Sequence, residues 1–165
     1  MGKRVFVTVG TTRFSGLVQA LENEQVLRSL RRAWDCDTLV VQHGSGPAPA
    51  RACIERHGMI LESFPYSDSL RDEQERADLI ISHAGAGSIL EALEHAKPLV
   101  VVVNESLMDN HQWELARALA ERKALVATTC AELGQALEQA RRHRQQRPLP
   151  PACRGVLTRV LFEES

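Results

Sequence analysis

Residues 77–112, ADLIISHAGAGSILEALEHAKPLVVVVNESLMDNHQ, carry the reading of the fold. The apolar run Leu79-Ile80-Ile81 stops at His83-Ala84-Gly85-Ala86-Gly87-Ser88, and an amphipathic helix follows from Ser88 to His95. A second apolar run, Pro98 to Val103, ends in a polar loop with Asn104, Asp109, Asn110, His111 and Gln112. Two consecutive strands therefore deliver polar groups to one edge of a sheet. In an open parallel sheet, ligands bind at the edge beyond the strand C-termini. A glycine-rich turn opening a helix offers free backbone N–H groups and a positive dipole end, which suits a phosphate. The stretch reads as a nucleotide site.

Outward from it, apolar β-rich runs and helical patterns alternate along the chain. Strands are expected at Arg4 to Val9, Thr38 to Gln42, Met59 to Phe64, Asp78 to Ser82, Pro98 to Val103 and Ala124 to Ala127. Helices are expected at Leu17 to Arg32, Asp68 to Arg76, Ser88 to His95, Asn110 to Arg122 and Glu132 to Gln145. Repeated βα units with continuously apolar strands predict an α/β fold built on a doubly wound, mainly parallel Rossmann-like sheet. Residues 1–145 form one ligand-binding domain in this reading. Residues 146–151 are a proline-punctuated linker, and Ala152 to Glu163 is a last amphipathic helix.

Composition narrows the function classes. A net charge of −1 leaves no electrostatic footprint for nucleic acid or an anionic membrane. With 4% aromatic residues, a base-stacking platform is disfavoured. Cys36, Cys53, Cys130 and Cys153 are widely spaced with no C-x-x-C pair, so neither a zinc site nor a disulfide scaffold is indicated. That usage fits a reducing compartment such as cytosol. No apolar stretch has membrane-spanning length, so any membrane attachment is expected through a partner.

The chemistry-bearing residues each carry two readings. The turn has no G-K-[ST] and is not a P-loop. Gly85 and Gly87, with Glu105 about 20 residues on, fit a dinucleotide fingerprint in part, but the third glycine position is Leu90. Glu91 is either the far half of a capping box, Ser88-x-x-Glu91, or an acceptor for ribose hydroxyls. His83 ends a strand facing the expected phosphate, where an imidazole can donate to a diphosphate oxygen. Asn110 and Gln112 bring amides for sugar hydroxyls, or an ordinary helix cap. His111 lines the site or caps the same helix. Asp35-Cys36-Asp37 looks like a D-x-D metal motif but enters a strand, which favours a solvated turn; no metal site is expected.

Three segments together, VFVTVGTT (residues 5–12), ISHAGAGSILEALE (81–94) and KPLVVVVNESLMDNHQWELA (97–116), resemble the C-terminal half of family 28 glycosyltransferases. More narrowly they resemble the soluble subunit of the two-part UDP-N-acetylglucosamine transferase of dolichol-linked oligosaccharide synthesis. The resemblance implies the donor-binding half of a GT-B fold, active only in complex. A membrane-anchored partner subunit would supply the acceptor half, and the complex would work on the cytosolic face of the endoplasmic reticulum. It implies that Gly10, Thr11 and Thr12 approach the donor diphosphate together with His83, Ala84, Gly85, Ala86, Gly87 and Ser88. Glu91 would hold the ribose, Asn110 and Gln112 the sugar, and Phe64 to Tyr66 the uracil.

The implied reaction joins a second GlcNAc, β1,4 and with inversion, to GlcNAc-diphospho-dolichol, with no cofactor or obligatory metal. His83 and His111 are the candidate catalytic residues. The base that an inverting transfer needs is either His111 or a group of the partner chain. Split bacterial exopolysaccharide transferases share these motifs. A nucleotide- or NAD-binding module without transferase chemistry is the rival from another class.

The segment after Gln145 generates its own prediction. Val156, Leu157, Val160 and Leu161 form an apolar stripe detached from the domain by Pro148, Pro150 and Pro151, and the resemblance implies that this helix binds the partner. Val160→Asp with Leu161→Asp should leave a folded chain that binds UDP-GlcNAc and no longer recovers its membrane partner. A lower melting temperature of the isolated chain with partner capture intact would assign the helix to its own domain.

Overall fold

The computed structural model describes residues 2–105 and 110–142, with the side chains of Asn110, His111 and Gln112 outside that description. The linker and helix expected at 146–163, with Val156, Leu157, Val160 and Leu161, lie outside the described residues.

β1 (Lys3–Thr8), β2 (Cys36–Gln42), β3 (Ile60–Phe64), β4 (Leu79–His83), β5 (Leu99–Val103) and β6 (Val126–Thr129) form one parallel sheet. Their order is β3-β2-β1-β4-β5-β6. The connections are α1 (Ser15–Ala20), α2 (Glu24–Trp34), α3 (Arg51–Arg56), α4 (Arg71–Arg76), α5 (Ala86–Glu94) and α6 (Asn110–Glu121), and α7 (Leu133–Arg142) follows β6.

Strand side chains alternate between the faces of the sheet, and both faces are apolar here. Val5, Val7, Leu39, Val41, Leu79, Ile81, Val100 and Val102 point to one side and pack with α1, α2 and α7. Phe6, Val40, Ile80, Leu99, Val101 and Val103 point to the other and pack with α5 and α6. Each fully buried Leu or Ile contributes about 1.5–3 kcal/mol, whereas the exposed Arg28–Glu24 pair adds little. Trp34 fastens α2 to α7: its ring is buried and its Nε1 donates to the Leu137 carbonyl at 2.8 Å.

The chain runs outward from β1 to β3, then returns to β4 beside β1 and runs outward again. The strand order therefore reverses at the β1/β4 seam, the place in such sheets where loops diverge and leave a crevice. Polar residues end the strands in register there: Thr8 is opposite both Gln42 and Ser82. Asp35-Cys36-Asp37 lies at the opposite edge, where Asp35 closes α2 in the left-handed region and Cys36 is buried. Burial pushes the Cys36 thiol up to about 12. Cys36, Cys53 and Cys130 are free thiols. No helix among the described residues is long and apolar enough to cross a membrane.

Several elements differ from the sequence expectation: α4 starts three residues later, at Arg71, and α5 two residues earlier, at Ala86. The helix expected from Leu17 to Arg32 is two, because the Asn23 side chain accepts from Gln25 N at 2.9 Å and starts a new helix. α3 forms between β2 and β3, where no helix was expected. The sixth strand begins two residues later, at Val126.

Candidate functional site

At the reversal of strand order lies a cleft of about 760 Å³, lined by the loops after β1, β3 and β4. Its lining residues are Gly10, Thr11 and Thr12; Gln42; Tyr66 to Leu70; and His83, Gly85, Gly87, Ser88 and Glu91.

The β4–α5 turn presents to the cleft backbone donors without partners in the helix. Gly85 takes an extended conformation and caps α5, its carbonyl accepting from Ile89 N at 2.9 Å. No side chain caps this helix. The backbone N–H groups of Ala86, Gly87 and Ser88 thus have no intrahelical acceptor, and the positive dipole end points the same way. A Cβ on Gly87 would meet nothing within 4 Å, so the cleft is open directly above this turn.

The start of α5 decides the reading of Glu91 as a cap. A capping box needs Ser88 at the cap position, but Ser88 is the third helical residue and its Oγ shares a 2.9 Å hydrogen bond with His83 Nε2. Glu91 is therefore beyond the first turn and cannot reach back to a Ser88 cap. Its exposed carboxylate lines the cleft and forms no hydrogen bond or ion pair among the described residues.

His83 is only 8% exposed and lies under the cleft floor. Burial lowers its pKa, so the ring is neutral at pH 7. Gly10 passes directly over it with φ +64°, and a Cβ there would stand 2.5 Å from His83 Nε2. A Cβ on Gly85 would collide with the same ring. The imidazole is a spacer on which both turns rest, as well as the partner of Ser88.

In the β1 loop, hydrogen bonding sorts the three expected residues. Gly10 N–H is directed at Thr8 Oγ1 (3.1 Å) and Gln42 Oε1 (3.0 Å). Thr12 donates both its N–H (3.3 Å) and its hydroxyl (2.8 Å) to the Val9 carbonyl. Thr11 is left exposed, its N–H and hydroxyl uncommitted among the described residues.

Other expected residues divide. Tyr66 lines the cleft and is 52% exposed. The side chains of Phe64 and Ala84 instead pack with the core on the α5 and α6 side of the sheet, because alternation turns them inward. Ala86 is half-buried against the same core. Asn110 opens α6, and the side chains of Asn110, His111 and Gln112 lie outside the described residues. Glu105 lines a neighbouring depression of about 510 Å³ with Arg13 to Gly16, Val103, Asn104 and Cys130, apart from the glycine turn. No three of His, Cys, Asp and Glu cluster as metal ligands among the described residues. Sequence reasoning missed Gln42 and residues 67–70; the signal for Gln42 was a polar residue ending the otherwise apolar strand TLVVQ.

The family model described as glycosyltransferase family 28 C-terminal domain matches residues 4–154. The chain belongs to this family. It is similar to the UDP-N-acetylglucosamine transferase subunit ALG13 of Mus musculus, 49% identical over 137 residues that cover 79% of this chain. It spans only 11% of that protein's length and 11% of the Homo sapiens protein of the same name. With the ALG13 subunit of Yarrowia lipolytica it shares 34% identity over 94% of this chain and 81% of the relative. An NMR structure of ALG13 superposes with TM-score 0.70 at 27% identity, covering 98% of this chain and 96% of that one. A MurG from Acinetobacter baumannii, 18% identical, gives 0.60 over 100% of this chain and 53% of its own, a likeness of fold. The Rossmann-like architecture expected from the alternating pattern is thus the half-fold seen in these glycosyltransferases.

Two predictions follow from this geometry. Gly87→Val should fold normally, since its side chain enters open space, and should weaken UDP binding about tenfold or more by blocking the α5 N–H groups; calorimetric titration with UDP at unchanged affinity would refute the placement. The second concerns His83, whose native pKa lies below the ordinary 6.5. Between those two values the unfolded chain binds a proton that the native chain does not. Stability should therefore be flat in this respect above 6.5 and fall as pH drops through the window. His83→Gln should reduce the loss between pH 7.5 and 5.5, measured by urea unfolding.

Proposed function

We propose that this chain is the donor-binding, catalytic subunit of a UDP-GlcNAc-dependent glycosyltransferase that adds the second GlcNAc to GlcNAc-diphospho-dolichol, acting with a membrane-anchored partner at the cytosolic face of the endoplasmic reticulum. One observation carries the reading: the uncapped start of α5, Thr11 and Glu91 converge on the cleft at the strand-order reversal. Membership of a glycosyltransferase family and the names of the ALG13 relatives support the choice of donor.

In the proposed reaction the acceptor O4 hydroxyl attacks C1 of the donor GlcNAc from the face opposite the diphosphate. The new C1–O4 bond forms as the C1–O bond to UDP breaks, which inverts the anomeric centre. Negative charge grows on the leaving diphosphate, where fixed donors are worth most. The N–H groups of Ala86, Gly87 and Ser88, with Thr11, are the donors assigned to it, and no obligatory metal is invoked. The Ser88 hydroxyl joins them when His83 carries its proton on Nε2 and donates to Ser88 Oγ.

Glu91 accepts from the ribose hydroxyls, Tyr66 borders the uracil, and Asn110 and Gln112 hold the sugar. The acceptor proton leaves to His111 or to a base of the partner.

The test is recovery of the chain with its partner from membranes, followed by assay with UDP-GlcNAc and a lipid-linked GlcNAc acceptor. Transfer by the complex and not by the chain alone is expected. Binding of NAD in place of UDP by the purified chain would favour a nucleotide module instead. Glu91→Gln should leave the fold intact and weaken UDP-GlcNAc binding by about 1–3 kcal/mol, through loss of a charged acceptor. Unchanged transfer by a folded Glu91→Gln complex would remove Glu91 from the site.

A further inference from the structure

Gln42 is 1% exposed and its amide is fully used. Oε1 accepts from Thr8 Oγ1 at 2.6 Å, Val9 N at 3.1 Å and Gly10 N at 3.0 Å. Nε2 spends its two hydrogens on two different loops, donating to the Gly10 carbonyl at 2.9 Å and the Pro65 carbonyl at 2.7 Å. Gly10 opens the loop at one end of the cleft, and Pro65 precedes Tyr66 to Leu70 at the other. Among the described residues no other hydrogen bond joins residues 10–12 to residues 64–70. Backbone bonds from His43 N and Gly44 N, each 3.0 Å, tie the β3 loop to β2 but stop short of Gly10.

We propose that Gln42 is a positioning residue that fixes the spacing between the diphosphate end and the base end of the cleft, acting through Gly10 and Pro65 without touching the nucleotide. The inference rests on the reading of this cleft as a nucleoside diphosphate site. A ligand with two anchoring ends gains from both together only if the two subsites are held at its own span. A buried amide with every donor and acceptor occupied is a stiff link, since releasing any bond strands a polar group away from water. Thr8 contributes to the same link from the strand side, and its register opposite Gln42 brings the two side chains together.

The experiment uses the full chain and three probes, UDP, uridine and inorganic pyrophosphate, each titrated by NMR against wild type and Gln42→Met. Methionine keeps the length and volume of the side chain and removes all five hydrogen bonds. The expected result is a folded variant whose UDP affinity falls about tenfold or more, a modest misplacement on the scale of positioning effects. Its affinities for uridine and for pyrophosphate should each change less than about twofold, because each subsite alone stays formed.

Gln42→Glu is the second variant: it retains the acceptor oxygen toward Thr8, Val9 and Gly10 and loses the amide donors to Gly10 and Pro65. It should show the same pattern if Gln42→Met does not fold. UDP affinity kept within about twofold, or equal losses for all three probes, overturns the proposal. Failure of both variants to fold overturns it too, by making Gln42 a residue of the fold alone. Failure of the wild type to bind UDP would instead sink the donor-site reading itself.

Discussion

The cleft floor depends on how closely two turns approach one imidazole. Gly10 and Gly85 come from different strands, β1 and β4, and neither has room for a Cβ above His83. This contact sets the distance between the two loops at the seam where the strand order reverses. It also explains why the ring is buried: the turns cover it, and burial holds it neutral. A neutral ring with one nitrogen joined to Ser88 organises the floor and brings no fixed charge to it. What this floor can offer an anion is therefore its backbone N–H groups and the α5 dipole.

The sheet class was legible because both faces of the central strands β4 and β5 are covered and their apolar runs are nearly continuous, while edge strand β3 leaves Ile60 and Glu62 exposed. Strand order was not, since no local signal says that the chain returns beside β1 after β3. The spacing of Leu17, Leu21 and Leu30 reads as one helix because α1 and α2 bury their apolar residues in the same core. Only the Asn23 cap breaks the pattern, and an asparagine in mid-pattern is a weak signal by itself. α3 was invisible for a related reason: it is six residues long, lacks a side-chain cap and follows Pro47 and Pro49.

At the site, the glycine turn was legible in the motif, and the capping box was not what it resembled. Ser88-x-x-Glu91 matches the pattern, yet Gly85 begins the helix three residues earlier and leaves Ser88 free to meet His83. A cap motif is decided by which residue leaves the helical region, and two glycines flanking Ala86 permit an earlier start. Gln42 was missed because a single polar residue at a strand end looks like ordinary solvent exposure. Its burial follows from register: Thr8 and Pro65 close over it from the neighbouring strands.

Charge shows why this cleft is half of a site in the proposed reading. Its lining residues include two acids, Asp68 and Glu91, and no Lys or Arg. Arg13, directly after Thr12, lines the neighbouring depression instead. A helix N-terminus is equivalent to roughly half a positive charge, well short of what a departing diphosphate carries. Exposed on one side to water, these donors also act in a high dielectric, where each is worth little. Covering the cleft with a second surface would lower that dielectric and strengthen the same N–H groups without altering them. In the proposed reading a free chain would bind the nucleotide with its backbone, and efficient transfer would wait for a partner that excludes water and completes the electrostatics.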